Sequence, residues 1–458
     1  MKIDIYHLFR HFDNVNFISP VILDVLKVWC NESGWDSRIR VARESSVDLK
    51  TDADVVAFSV YTQTAATAYR VARKLRDRGK IVILGGPHFR GPNYREALPH
   101  CDVVVNTINQ EQWDDLLRDI ECGDLTPGQA QARYIVDAEK RFRIPENLHT
   151  AFNEHPWYQV ASLPTTIGCP YDCEFCNAFM QGDYIKRDLR VLYDEFVGIK
   201  SSTVLLSDAS FGLHKAHTME LMNAIAPLKK TLIIETTLAR LKDEELLESM
   251  ARGGLKIVSI GVETLNLKLG KHGGVELTQI LDRVIRKCHD LGILIQGNFI
   301  MGLDCDGPES FDRVFDYYSR SELDFVFTDI LTPYPNTPLY YNMLKAGRIL
   351  DHDWEHYDYR HVVYRPLQMS VNQLAAGFTG MYSRMTRNEF IWKKAKQILR
   401  HQGLSTVAIA AIAFNFFNRF DAALKERDFQ ETIKLIPAAI RDEILQPGEN
   451  AEPRALIA

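Results

Sequence analysis

Residues 160–176 read Val-Ala-Ser-Leu-Pro-Thr-Thr-Ile-Gly-Cys-Pro-Tyr-Asp-Cys-Glu-Phe-Cys. Val160–Ile167 has the composition of a strand, and Cys169, Cys173 and Cys176 follow it directly in C-x3-C-x2-C spacing. With 8 Cys in 458 residues, independent placement yields that triple only about 0.002 times in such a chain. Three soft thiolates on one tight loop suit a metal, and iron–sulfur clusters take thiolate ligands. A structural zinc site normally uses four protein ligands, and no second cysteine pair lies near enough to complete one. Three thiolates on a four-iron cluster leave one iron open to a substrate or cofactor. The other cysteines, Cys30, Cys101, Cys122, Cys288 and Cys305, lack cluster spacing and read as ordinary small apolar residues.

Outward from this loop, strands and helices alternate from Gln159 to Pro338. Candidate strands are Val160–Ile167, Val204–Ser207, Leu232–Thr236, Ile257–Val262, Leu294–Met301 and Phe325–Leu331. Helices between them include Asp243–Met250 and Leu277–Leu291. Six consecutive β/α units predict a complete or partial β/α barrel, whose active site lies at the carboxyl ends of its strands.

A second alternating region covers residues 1–125. Short strands at Lys2–Tyr6, Arg38–Val41, Val55–Val60, Ile81–Leu84 and Val103–Val105 alternate with helices such as Thr64–Arg78 and Gln110–Cys122. The pattern is α/β and doubly wound (Rossmann-like), and such sheets bind ligands at the carboxyl ends of their strands. Tyr61, Thr62 and Gln63 follow one strand, and Gly85-Gly86-Pro87-His88 follows another. Residues 126–158 lose the alternation and read as a connector with little core of its own. Residues 371–458 read as a helical C-terminal region ending in a polar tail. The domain plan is therefore 1–125, 126–158, 159–370 and 371–458. Within the last segment, Val407–Phe417 is apolar almost all round, as a buried helix or as an interfacial patch toward a hydrophobic substrate.

Composition limits the remaining classes. With 54 basic against 60 acidic residues, the net charge of −6 offers no surplus for a nucleic-acid partner. The start, MKIDIYHLFR, has no apolar core of signal-peptide type. The longest apolar run, Val407–Phe414, falls far short of the ~20 residues that span a bilayer. A cytoplasmic protein with no transmembrane span is expected.

Cys169, Cys173 and Cys176, with aromatic Phe175 before the last thiol, resemble the signature of radical S-adenosylmethionine (SAM) enzymes. Other segments agree. Leu206-Ser207-Asp208-Ala209-Ser210-Phe211 resembles the acidic segment after the second barrel strand, with Ala209 where a second Asp is frequent. Ser259-Ile260-Gly261-Val262-Glu263-Thr264 resembles the strand-four segment beside the adenosyl moiety. Gln296–Asp306 and Leu331–Leu339 resemble later barrel motifs, the second with Asn336 where Gly is usual. Together with the N-terminal doubly wound domain, the chain resembles the cobalamin-binding branch of the superfamily, which includes hopanoid methylases and the anaerobic cyclase of bacteriochlorophyll synthesis.

That resemblance implies a [4Fe-4S] cluster on Cys169, Cys173 and Cys176, with SAM chelated to the open iron. Reductive cleavage of SAM then yields a 5′-deoxyadenosyl radical that abstracts hydrogen from an unactivated carbon. It also implies that Phe175, Asp208, Glu235, Glu263 and Gln296 surround SAM. Tyr61, Thr62, Gln63, Gly85, Gly86 and His88 are the candidates for cobalamin. No D-x-H-x-x-G is present, so the expected cobalamin has no protein histidine on cobalt. The loop Asn106-Thr-Ile-Asn-Gln-Glu111 departs from the Gly-Glu-containing loop common in the family. The implied activity is C-methylation of a small-molecule or lipid-like substrate; the alternative is cyclisation, rearrangement or oxidation without methyl transfer. An external electron donor such as flavodoxin or ferredoxin is implied, as is a location in the cytoplasm or peripheral to a membrane. The stretch Trp354–Tyr364 either lines the substrate pocket or packs as a connector.

Overall fold

A computed structural model describes residues 1–9, 20–106, 109–125, 143–154, 160–176, 184–266, 274–413 and 415–416. The chain forms two compact units. The first comprises Met1–Leu163, Arg190–Ser202 and Asp353–Glu355, and the second Pro164–Leu189, Thr203–His352 and His356–Ala458. This division differs from the sequence-based plan in grouping the C-terminal helices with the barrel and the described end of the 126–158 segment with the first unit.

In the first unit, β1 (Lys2–Leu8), β2 (Asp36–Ala42), β3 (Val55–Ser59), β4 (Ile81–Gly85) and β5 (Val103–Val105) form one parallel sheet in the order β2-β1-β3-β4-β5. All five residues of β3 are buried, as a central parallel strand covered on both faces requires. The helix Ala65–Arg76 buries Ala65, Ala68, Val71, Ala72 and Leu75, a stripe of helical period, against Phe58, Leu84 and Val104. The strand order reverses between β1 and β3, which puts the switch point there.

The end of the expected connector is itself packed. The helix Leu148–Asn153 buries Leu148, Ala151 and Phe152. Glu195, fully buried on the helix Leu189–Gly198, accepts from the Leu148 and His149 amides, each at 2.7 Å, and from His149 Nδ1 at 2.7 Å. A carboxylate there satisfies amides that a helix start leaves without intrahelical partners. Residues 126–142 lie outside the described residues.

The expected strand Val160–Ile167 is broken. It splits into β6 (Val160–Ser162) and β7 (Thr166–Ile167), interrupted at Pro164, which has no amide hydrogen to donate to a ladder. β7 pairs antiparallel with β8 (Ile185–Lys186), making a small ribbon. β9 (Thr203–Leu206), β10 (Thr231–Thr237), β11 (Leu255–Glu263), β12 (Leu294–Met301) and β13 (Phe325–Ile330) follow as consecutive parallel neighbours of an open, partial barrel.

The C-terminal region is helical where it is described, at Val371–Met385, Asn388–Gln402 and 406–413. Ala408 and Ala411 are buried with Val407 and Ile412 against Leu294, Phe325 and Ile398, whereas Ile409 is 59% exposed. The apolar segment is thus one-sided, while Phe414, Phe417 and the polar tail lie outside the described residues. Among the described residues, no helix is long and apolar enough to cross a membrane.

Candidate active site

Gly168, at φ +78°, turns the chain from β7 into the cysteine loop, a conformation that glycine adopts without a Cβ clash. Cys169, Cys173 and Cys176 are joined in no disulfide, and each is partly accessible. The Cys176 amide donates to the Cys173 carbonyl at 3.0 Å, and the Leu339 amide donates to the Glu174 carbonyl at 3.0 Å, so the loop is folded and anchored. Burial, followed by the charges of Cys176, Cys169 and Glu263, holds the Cys173 thiol above its ordinary range. Cys169 and Cys176 lie near enough to oppose ionisation of Cys173, a repulsion that bound iron would relieve, so these residues fit a cluster. Phe175 is partly buried in the same loop.

Asp208, just past β9, is buried and turned toward the chain entering that loop. One carboxylate oxygen accepts from the Thr165 amide at 3.3 Å, and the Thr165 hydroxyl donates at 3.0 and 3.1 Å. The Thr166 amide and hydroxyl donate to it as well. Its hydrogen-bonding capacity is therefore occupied by Thr165 and Thr166, the two residues around the break before β7. Burial raises its pKa despite these donors. These bonds tie Asp208 to the chain entering the cysteine loop.

The other candidates project from the accessible inner face of the barrel. Gln296 Nε2 donates to Ser259 Oγ at 3.2 Å and to Asn298 Oδ1 at 2.8 Å, and Asn298 Nδ2 donates to Ser259 Oγ at 2.8 Å. Register explains this triad, because Ser259 of β11 pairs with Gln296 of β12, and Asn298 lies one pleat further on. Glu235 lies opposite Ser259 on β10. It is reached by solvent yet deeply set, and burial raises its pKa. Glu263 ends β11 at a register shift with φ +62°, unusual for a residue with a Cβ. A Cβ on Gly261 would come within 2.3 Å of Glu263 Oε1, so this glycine makes room for the folded-back carboxylate. Burial, and then the charges of Glu235 and Asp329, push Glu263 up to about 7.

Three carboxylates and an amide–hydroxyl triad therefore share one face, with Glu263 within electrostatic reach of Cys173. Such a surface suits a ligand carrying positive charge and hydroxyl groups. The sequence reading missed Asp329, Ser259 and Asn298 as site residues. Alternation along Phe325–Ile330 is the signal for Asp329, since it shares a face with Phe327, and both are partly accessible between buried neighbours.

In the first unit the candidates separate. Gly86 has φ +115°, and a Cβ there would lie 2.5 Å from the Val60 amide nitrogen and 2.7 Å from its carbonyl oxygen. Close approach of the chain's own backbone explains this glycine. Gly85 packs beside Val105. His88 is fully buried, with Nδ1 3.3 Å from Thr62 Oγ1, Nε2 3.3 Å from the Tyr69 hydroxyl, and the Trp354 ring edge-on at 5.4 Å. Burial lowers it to about 3. Gly86, Thr62 and His88 therefore build the rim from inside, while Tyr61 and Gln63 keep accessible surface at the end of β3. Asn109 accepts from the Gln112 amide at 2.9 Å, capping the helix Gln110–Cys122, which accounts for part of the divergent loop.

Trp354–Tyr364 is mainly packing. Tyr357 and Tyr364 are fully buried, Tyr357 donates to the Asp351 carbonyl at 2.8 Å, and Tyr364 donates to the Gly302 carbonyl. Cys30, Cys101, Cys288 and Cys305 are buried, whereas Cys122 is exposed, contrary to the apolar reading of that residue.

Residues 163–318 match the family model described as the radical SAM superfamily. The chain is 28% identical over 359 residues to a bacteriochlorophyllide d C-12(1)-methyltransferase of Chlorobaculum tepidum, covering 74% of this chain and 76% of that one. Its fold resembles the radical S-adenosylmethionine methyltransferase TsrM from Kitasatospora setae, solved with cobalamin and a [4Fe-4S] cluster, with TM-score 0.58, 16% identity and coverage of 75% and 78% of the two chains. It also resembles the cobalamin-dependent S-adenosylmethionine radical enzyme OxsB, with TM-score 0.63, 12% identity and coverage of 93% and 71%. The chain therefore carries a radical SAM domain, on a fold shared with cobalamin-dependent enzymes of that kind.

Proposed function

We propose that this protein is a cobalamin-dependent radical SAM methyltransferase acting on an unactivated carbon. The observation that carries the reading is the cysteine loop set beside the carboxylate-lined inner face of the barrel. Cys169, Cys173 and Cys176 hold the cluster, and Phe175, Glu235, Glu263 and Gln296 border SAM, joined by Ser259, Asn298 and Asp329. When bound, these cofactors supply the carbon radical and the transferable methyl group. The chain's own part is to hold them. Glu263 and its neighbouring carboxylates attract the cationic end of SAM, the Ser259–Gln296–Asn298 triad orients hydroxyl groups, and Asp208 fixes the entry to the cysteine loop. Tyr61 and Gln63 offer the accessible rim for cobalamin, over the scaffold of Thr62, Gly85, Gly86 and His88. The substrate is a small molecule, and electrons come from an external carrier of the flavodoxin or ferredoxin type. Exposed Trp392, Leu404 and Ile409 support peripheral membrane association.

The test is anaerobic purification and reconstitution with hydroxocobalamin, followed by the ultraviolet–visible spectrum and incubation with methyl-labelled SAM. Cluster and cobalamin bands, 5′-deoxyadenosine release and a product heavier by one labelled methyl group are expected. A Cys169→Ala/Cys173→Ala/Cys176→Ala chain that still holds four irons and cleaves SAM would overturn the radical SAM reading. An intact cluster with no co-eluting cobalamin would overturn methyl transfer.

A further inference from the structure

The carboxyl edge of the first unit's sheet leaves polar groups unanswered. His7 of β1 pairs in register with Ser59 of β3, beside the switch point between those strands. His7 Nδ1 and Ser59 Oγ are both buried without a hydrogen-bond partner. The His7 ring meets Tyr61 edge-on, with centroids 5.6 Å apart and planes at 90°. Among the described residues, the Tyr61 hydroxyl makes no hydrogen bond. Orphaned polar groups at the edge where such sheets bind ligands call for a polar ligand.

Arg90 joins this edge from the loop after β4. That loop is tied to the end of β3, because the Val60 amide donates to the Gly85 carbonyl at 2.7 Å and the His88 amide to the Val60 carbonyl at 3.2 Å. Phe89, fully buried in the core of the unit, anchors the chain there. Arg90 follows in extended conformation and is partly buried, with its charge in reach of the Tyr61 hydroxyl. Other arginines of the unit are neutralised: Arg38 by Asp4 at 2.7 Å, Arg70 by Glu44 at 2.8 Å, and Arg76 by Asp102 at 3.0 Å. Among the described residues, the Arg90 guanidinium meets no carboxylate and donates no hydrogen bond. Burial lowers its pKa, and only Tyr61 opposes that. A desolvated cation without a counter-ion is costly, and the planar guanidinium fork matches a carboxylate or phosphate.

We propose that Arg90, with the Tyr61 hydroxyl beside it, binds the phosphodiester in the nucleotide loop of cobalamin. The proposal rests on the cobalamin reading and adds to it a binding residue outside the rim residues already named. The side arms of the corrin are neutral amides, and the phosphodiester is the arm that carries charge. Its two unesterified oxygens suit two parallel N–H bonds from one guanidinium, the stronger, charge-assisted kind. The Tyr61 hydroxyl offers a further donor. His7 supports the Tyr61 ring without adding a competing charge, since burial lowers its pKa to about 4 and leaves it neutral at pH 7. Anchoring the tail in this way sets how the corrin lies on the strand ends.

The test compares three corrins on the cluster-loaded whole chain under anaerobic equilibrium dialysis. Hydroxocobalamin carries the complete nucleotide loop, cobinamide lacks both base and phosphate, and cobinamide phosphate keeps an anion without the base. Arg90→Gln should weaken hydroxocobalamin and cobinamide phosphate about 10–100-fold, the loss of a charge-assisted pair. Cobinamide binding, iron content and circular dichroism should be unchanged. Arg90→Lys keeps the charge without the fork and should recover part of the loss. Undiminished hydroxocobalamin binding by Arg90→Gln would overturn the proposal. So would an equal loss for hydroxocobalamin and cobinamide, which would make Arg90 a support of the rim. Cobinamide phosphate that ignores the substitution would assign the effect to the base and overturn the proposal as well. Wild-type protein that keeps its cluster and takes up none of the three corrins would instead defeat the cobalamin reading itself, and the proposal with it.

Discussion

Asp208 holds Thr165 and Thr166, so its removal should act on the cysteine loop without touching a cofactor. Asp208→Ala leaves buried amide and hydroxyl donors without an acceptor, at about 1–3 kcal/mol per orphaned group. Iron content after reconstitution should fall while far-ultraviolet circular dichroism is retained, and Asp208→Asn should recover part of the iron. Full iron loading in the alanine variant would remove this role. Gly86→Ala is a second test, because its Cβ would lie 2.5 Å from the Val60 amide nitrogen at a φ of +115°. It should destabilise the first unit by more than about 1–3 kcal/mol, read as a lower urea midpoint. At this scale the cysteines were legible because their spacing is local. Asn336 was legible in outline: it stands where the family pattern has glycine, and its φ of +73° is one that asparagine tolerates. The work of Asp208 was hidden because its partners lie 42 and 43 residues away in sequence. The burial of His88 was not legible, because nothing in Gly-Gly-Pro-His says which way the ring turns.

Helices and strands fared according to how much their limits depend on neighbours. The sequence reading matches Gln110–Cys122 and Val103–Val105 residue for residue, since a capping asparagine and β-branched clustering are local signals. Val160–Ile167 failed as one strand, although Pro164 in its middle was the available warning. The β7–β8 ribbon was not foreseen, because two-residue strands carry no periodicity. The helix Val371–Met385 begins with a reciprocal cap, in which Ser370 Oγ accepts from the Gln373 amide at 3.2 Å and Gln373 Oε1 accepts from the Ser370 amide at 2.8 Å. Ser370→Ala should lower stability by ~1 kcal/mol, measured by chemical denaturation, with SAM cleavage unchanged. A loss within 0.2 kcal/mol would mean that packing of Leu374 and Phe378 alone sets the start of that helix.

Across the whole molecule, the two units should respond oppositely to pH. In the first, burial lowers His7 to about 4 and His88 to about 3. Below the unfolded histidine value of about 6.5, the unfolded chain takes up protons that the folded unit refuses, so stability falls as pH drops from there toward 3. In the second, burial raises Asp306 to about 6, although it accepts from the Gly302 and Leu303 amides and from Ser310. That contribution is complete below the unfolded aspartate value and is lost as pH rises through 6. Hydrogen exchange resolved by peptide, at pH 5 and pH 8, should show weaker protection of β1 and β4 in acid and of the Gly302–Ser310 turn in base. The same trend in both units would refute these assignments.

The break at Pro164 has a further consequence for durability in air. Because the thiols follow a two-stranded ribbon separate from the six-stranded sheet, oxidative loss of a cluster held there would remove no rung from the barrel's ladder. Stripping iron from the reconstituted protein should therefore leave its far-ultraviolet circular dichroism unchanged, and a second reconstitution should return the full iron count.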